Sequence, residues 1–220
     1  MHKIQSGLYQ ISLLTTITQG SRDVSETIYA AKAKFQEEYS AKIPALSLLN
    51  NLGWRYVSPD EALKQRAGKT DEVVLREVLR QELSKRRFEF EGKTHALSAK
   101  SIDKLITQLC SPVLNEGLLA ANETLYNHMV YGIAVTEFVN GNKATPTIAI
   151  IDWHNIDNND FCYTEEMVVS RANGIDHRKP DIVCFVNGLP WVVIEAKRPD
   201  AQAHKGPTVE EGISQNIRNQ

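Results

Sequence analysis

The sequence predicts an α/β fold in a single 1–220 domain: a mostly helical part over residues 1–130, then a mixed central sheet and a closing helix over 131–220. Three observations predict it. Apolar residues recur at helical spacing through the first part. From Ile133 onward the pattern changes to alternation and short apolar runs. Asn187-Gly188 lies between two such runs, a strong hairpin signal. The 220 residues suit one large domain or a domain with an appendage. A 42% hydrophobic and 24% charged composition excludes disordered and collagen-like chains. No apolar stretch reaches the ~18 residues of a membrane span. Cys110, Cys162 and Cys184 form no CxxC pair, which argues against a disulfide framework or a cysteine zinc site. A reducing, cytoplasmic setting with no membrane partner is the expectation.

In chain order, Val24 to Tyr39 is a candidate helix. Pro44 suits the first turn of a second. Leu46, Leu49 and Leu52 extend its apolar face, and Gly53 stops it. Trp54 to Val57 reads as a short strand. Ser58-Pro59-Asp60-Glu61 starts a helix, with serine as cap and acids in the first turn. Thr70 is read as the cap of the next helix, with Val74, Leu75, Val78, Leu79 and Leu83 on one face. Acids at its start and Lys85-Arg86-Arg87 at its end match the helix dipole, which explains that basic run without nucleic acid. Ile102, Leu105, Ile106 and Leu109 mark a further helix, and Leu114 to Met129 another, closed near Gly132. Strand-like segments follow at Ile133 to Val139, Thr147 to Trp153 and Phe161 to Ser170. The hairpin arms at 182–186 and 191–194 are apolar on both faces, as strands covered on each side are. Thr208 opens the last helix.

The chemistry concentrates in Arg178-Lys179-Pro180-Asp181 and Glu195-Ala196-Lys197. One acid opens the first arm of the hairpin; an acid and a lysine close the second. Glu195 and Lys197 are two apart and leave the same face. A strict two-residue loop at Asn187-Gly188 sets Asp181 across from Ile194, with Glu195 on the opposite face. A three-residue loop through Leu189, or an equivalent bulge, sets Asp181 against Glu195, and this offset is predicted. Two carboxylates ~4 Å apart repel by roughly 4 kcal/mol at an effective dielectric of 20. A divalent cation reverses that sign, and oxygen donors favour Mg²⁺, with Mn²⁺ as a substitute, over zinc. Such an ion polarises a phosphoryl oxygen, and Lys197 beside it can orient water and stabilise charge on phosphorus. Arg171, His177, Arg178 and Lys179 lie just ahead of Asp181, where cations can meet phosphates. The net charge of −2 gives no general attraction to nucleic acid.

The run RKPDIVCFVNGLPWVVIEAKRPD resembles the PD-(D/E)xK nuclease motif, and more narrowly the N-terminal nuclease domain of the restriction (R, HsdR) subunit of type I restriction-modification enzymes. Its Asn187-Gly188-Leu189-Pro190 turn is the specific part. Leu48 to Trp54 resembles a further element of these subunits, and Ser214 to Gln220 their helix after the hairpin. The resemblance implies a restriction-endonuclease-like core with a mixed central sheet flanked by helices, plus a helical N-terminal elaboration. It implies Mg²⁺-dependent endonucleolytic cleavage of double-stranded DNA, as a type I site-specific deoxyribonuclease. Asp181 and Glu195 are then metal ligands with the Ala196 carbonyl as a third, and Lys197 is the catalytic lysine. Gln215 fits the first position of a Q-x-x-x-Y signature, but Asn219 stands where the tyrosine is expected. Glu37 and Glu38 are candidates for an auxiliary acid. Partners are DNA and the modification and specificity subunits. ATP would act only through a translocase beyond Gln220, since no GxxxxGK[ST] is present. Two alternatives stay open: a repair or recombination nuclease of the same superfamily, and a non-catalytic docking domain with a decayed nuclease fold. Asn155-x-Asp157-x-Asn159 … Glu166 resembles a calcium loop only superficially, because the glycine of that motif is missing at Asp160 and no helices flank it; a polar turn between strands is the expectation.

Overall fold

The computed structural model describes residues 41–111, 114–171, 174, 176–197 and 213. Its centre is a four-stranded mixed sheet built from β1 (Arg55–Tyr56), β8 (Phe161–Glu165), β11 (Ile182–Val186) and β12 (Leu189–Ile194), in that spatial order. β1 runs parallel to β8, and β8–β11 and β11–β12 are antiparallel. Every residue of β11 is buried. β12 pairs only with β11 among the described strands, and Val192 and Val193 are each 48% exposed. The expectation of two fully covered arms therefore holds for β11 and fails for the edge strand β12.

Alternation along β11 divides its side chains between two cores. Val183 and Phe185 join Cys162, Val57, Ala62, Leu75 and Val78 on one face. Ile182 and Cys184 join Tyr163 and Leu49 on the other. The second face is covered by α1 (Ile43–Asn51), which has Pro44 in its first turn and is followed by Gly53 at φ +85°. Leu46 and Leu49 pack there as expected; Leu52 instead caps the helix and is 65% exposed. The first face is covered by α2 (Pro59–Gln65) and α3 (Arg76–Lys85). The Ser58 hydroxyl accepts the Glu61 N–H at 3.2 Å, the expected cap.

α3 is apolar on two sides. Leu75 and Val78 face the sheet at its start, whereas Leu79 and Leu83 enter a larger core with α4 (Ala99–Cys110). That core also takes Ile133, Ile148 and Leu189, with Leu125 and Met129 of α5 (Leu118–Tyr131) packed against it. Short hairpins decorate this layer: β2 (Arg87–Phe90) with β3 (Lys93–Ala96), and β5 (Glu137–Val139) with β6 (Asn142–Ala144). β4 (Ile133–Ala134) pairs with β7 (Thr147–Ile148). α3 starts at Arg76, six residues after Thr70. Thr70 does not cap it; its hydroxyl meets Ser170 Oγ at 2.6 Å, and its carbonyl accepts the Ser170 N–H at 2.8 Å. The helix starts where the Leu75 N–H donates to Gly188 O at 2.8 Å. The candidate helix at Val24 to Tyr39 and the run from Thr208 lie outside the described residues, save Ile213.

Arg66, 2% exposed, joins the α2 end of this layer to the segment that leads toward the hairpin arms. Its Nε donates to Ala62 O at 3.2 Å, and its Nη1 donates to Glu72 O at 3.0 Å and Val168 O at 3.1 Å. Hydrogen bonds from a charged donor contribute roughly 1.5–3 kcal/mol each, and a carbonyl left buried without a partner costs as much. Arg66→Met is expected to lower the unfolding free energy of the chain by about 3 kcal/mol, read as a fall in the urea midpoint at constant m. A change within about 0.5 kcal/mol, the range of a surface substitution, would contradict this role.

Candidate functional site

The hairpin between β11 and β12 decides which side chains meet. Its turn is Asn187-Gly188 alone, with φ of +52° and +80°, the conformation that asparagine followed by glycine favours. Val186 pairs with Leu189 and Phe185 with Pro190, but Cys184 pairs with Val192. Trp191 is the extra residue, a β-bulge. Its indole packs against the large core, edge-on to Trp153 with centroids 6.0 Å apart. Beyond the bulge the register runs Val183–Val193 and Ile182–Ile194. One step further it sets Asp181 across from Glu195. The offset arises from a bulge at Trp191, with the two-residue loop retained; Leu189 is already paired in the strand.

The turn itself is the most constrained part of the hairpin. Asn187 is fully buried. Its main-chain N–H donates to Asp160 O, and its Oδ1 accepts the Asp160 N–H, both at 2.8 Å. Its Nδ2 donates to Ile150 O and Asn159 Oδ1, both at 2.9 Å. The carboxylate of Asp160 in turn accepts Arg55 Nη2 at 2.9 and 3.0 Å. The NGLP turn is thus a structural anchor at the opposite end of β11 from Asp181, with its glycine seated on the start of α3.

At the other end, Asp181 Oδ2 accepts the Ala196 N–H at 2.8 Å, which ties the first acid across to the strand that bears the second. Lys197 Nζ lies 4.0 Å from Glu195 Oε2, and those two side chains are 11% and 10% exposed. Ala196 is buried. The structure therefore brings Asp181, Glu195, Ala196 and Lys197 to one end of the hairpin. Among the described residues no group of three or more His, Cys, Asp or Glu side chains gathers as metal ligands. The Asp181 and Glu195 carboxylates, with the Ala196 main-chain oxygen, would make an all-oxygen set of the kind that fits a hard dication such as Mg²⁺ or Mn²⁺.

The cationic residues ahead of Asp181 lie on a small hairpin, β9 (Val169–Ser170) with β10 (His177–Arg178). Arg171 Nη1 is 4.0 Å from Asp176 and its side chain is 46% exposed; Arg178 is half-buried. Lys179 Nζ lies 2.5 Å from Glu166 Oε2. Glu37, Glu38 and Gln215 lie outside the described residues.

Glu166 enters the sequence reading only as the last acid of the dismissed calcium-loop pattern, with no role. Its Oε1 also accepts Lys42 Nζ at 2.8 Å, and Lys42 lies 3.0 Å from Glu165. The hydrogen bond from Lys179, then that from Lys42, holds the Glu166 carboxyl down at about 2, below its ordinary 4.5. Burial alone would lower the Lys42 ammonium, but its bonds to Glu166 and Glu165 outweigh this and raise it. A carboxyl depressed on folding adds stability that is complete above its unfolded value and is lost as pH falls through its folded one. The urea-stability difference between the wild-type chain and Glu166→Gln is therefore expected to be full above pH 4.5 and to shrink toward pH 2. A difference independent of pH would contradict it. In the sequence Glu166 is the second of two adjacent acids after an apolar run and the last acid of the calcium-loop-like pattern.

The chain matches the family described as "Type I restriction enzyme R protein N terminus" over residues 34–220. It is 28% identical over 158 residues, 70% of its length, to the type I restriction enzyme HindI endonuclease subunit of Haemophilus influenzae. It is 30% identical over 175 residues, 76% of its length, to a protein of Methanocaldococcus jannaschii provisionally named type I restriction enzyme MjaIXP endonuclease subunit. The matched regions are 14% and 16% of those two relatives, so the chain spans a small part of their length.

Proposed function

Because the chain belongs to the family of type I restriction enzyme R protein N termini, we propose that it is the DNA-cutting domain of such a subunit. Its reaction is Mg²⁺-dependent hydrolysis of phosphodiester bonds in double-stranded DNA, on a PD-(D/E)xK core. The observation that carries this is the Trp191 bulge, which sets Asp181 against the Glu195-Ala196-Lys197 segment that follows β12. Without it the two acids would project from opposite faces.

Asp181, Glu195 and the Ala196 carbonyl hold the ion. Bound Mg²⁺ or Mn²⁺ supplies Lewis-acid polarisation of the phosphoryl oxygen. Lys197 orients the water that attacks phosphorus in line with the leaving oxygen, and its ammonium stabilises the negative charge that builds there. Arg171 and Arg178 contact backbone phosphates, contacts that position DNA without reading sequence. Recognition and methylation belong to the specificity and modification subunits, and ATP-driven translocation to a motor elsewhere in the same polypeptide, in the cytoplasm. A domain that receives delivered DNA needs no large positive field, which agrees with a net charge of −2.

The test is linearisation of a plasmid bearing the recognition site by the full-length polypeptide assembled with its partner subunits, ATP and Mg²⁺. The wild-type assembly is expected to cut, and Glu195→Gln to leave the plasmid intact. Linearisation by the variant at the wild-type rate would reject the proposal.

A further inference from the structure

Glu166, the residue just after β8, has φ +50°, a left-handed conformation that a glutamate rarely adopts. Such strain costs roughly 1–3 kcal/mol and persists only where surrounding contacts over-determine it. The contacts are these. The Glu166 N–H donates to Asp181 O at 3.0 Å, which extends the β8–β11 ladder by one step. The carboxylate takes Lys42, just ahead of α1, on one oxygen and Lys179, two residues before Asp181, on the other. Lys42 also meets Glu165, whose Oε1 accepts the Tyr56 hydroxyl at 3.1 Å. One residue thereby holds the Asp181 main chain and the Lys179 side chain, on either side of Pro180, and ties them to the residue just ahead of the helix that covers the sheet.

We propose that Glu166, clamped between Lys42 and Lys179, is a positioning residue that sets where the Asp181 carboxylate stands against Glu195 and Lys197, and so sets the divalent-cation affinity of that site. This rests on the cation-site assignment of the preceding subsection. It also gives Lys179 a role apart from DNA: its ammonium holds Glu166. Asp181 is coupled to the clamp twice, through its own carbonyl and through the short 179–181 segment. Relaxing either coupling lets the carboxylate drift while the sheet, held by the buried β11, persists. Groups that support metal ligands from outside the ligand set typically change affinity by ~10–100-fold when altered.

The experiment is a titration of the 220-residue chain with Mn²⁺, with free Mn²⁺ followed by its paramagnetic resonance signal and folding checked by circular dichroism. Glu166→Gln, which keeps the shape and removes the charge, is expected to weaken Mn²⁺ binding by about tenfold or more. Lys179→Ala should do the same, and Lys179→Arg should restore binding to near the wild-type level. Lys179 is 56% exposed, so its variants keep the test available if Glu166→Gln fails to fold. Unchanged Mn²⁺ affinity in Glu166→Gln and Lys179→Ala would overturn the inference, as would a Lys179→Ala defect confined to the KM for DNA in the assembled enzyme. Wild-type binding that is absent, or that survives Asp181→Ala, would instead overturn the cation site, and the inference with it.

Discussion

Lys197→Ala in the assembled enzyme is expected to abolish DNA cutting while ATP hydrolysis and translocation continue at wild-type rates. Lys197 is 11% exposed beside Glu195, at the end of an edge strand. The sheet is held by the fully buried β11, so it stands without the Lys197 ammonium. A positioned charge that stabilises a transition state typically contributes ~10²–10³-fold, and that is the minimum loss expected here. Asp181→Ala should be at least as severe, since it removes a proposed ion ligand and the acceptor of the Ala196 N–H. Consumption of ATP, triplex displacement and plasmid linearisation, measured on one preparation, separate the outcomes. Cutting that survives either change would show that the assignment is wrong; loss of all three activities together would show that the variants damage assembly instead.

Gly188→Ala is expected to be the most destabilising single methyl in the hairpin. A Cβ there would stand 2.5 Å from Leu75 O and 2.9 Å from Leu79 N, both main-chain atoms of the packed α3. The φ of +80° adds strain whatever the space. Overpacking and left-handed strain each cost roughly 1–3 kcal/mol, so a loss of about 3 kcal/mol or more is expected. Gly141 is the control: its φ is +86°, but nothing lies within 4 Å of its added Cβ. Gly141→Ala should cost only the left-handed strain, roughly 1–2 kcal/mol. Equal urea midpoints for the two variants would contradict the account of the turn as an anchor on α3.

Local chemistry is what the sequence displays well. The Ser58 cap, Pro44 in a first turn, Gly53 after it, and the Asn187-Gly188 turn involve neighbours in the chain, and all are found where the pattern puts them. The start of α3 is misread because Thr70-Asp71-Glu72 imitates a capped helix. In the fold, Thr70 is engaged by Ser170, and the helix is started by the carbonyl of Gly188, more than a hundred residues away. The β2–β3 hairpin is hidden for a similar reason. Lys85-Arg86-Arg87 fits a helix end so well that the alternation of Phe88 and Phe90, and the turn at Glu91-Gly92 with φ of +51° and +72°, pass unread.

The candidate site divides in the same way. That Asp181 must face Glu195 follows from the chemistry of two acids and a lysine. The device that achieves it does not, because loop length and bulge give the same register. The choice depends on Trp191 having a core and Trp153 to pack against. In the sequence Glu166 only closes a superficial calcium-loop pattern; its importance appears when Lys42, Lys179 and the Asp181 carbonyl are seen around it.

The Asp181 and Glu195 carboxylates are proposed to form one pocket for a hard dication. Calorimetric titration of the 220-residue chain with Mn²⁺ tests it most directly. The claim predicts saturable heat for the wild type and none for Asp181→Ala or Glu195→Ala, each shown to be folded. No heat from the wild type, or the same isotherm from all three, would contradict it.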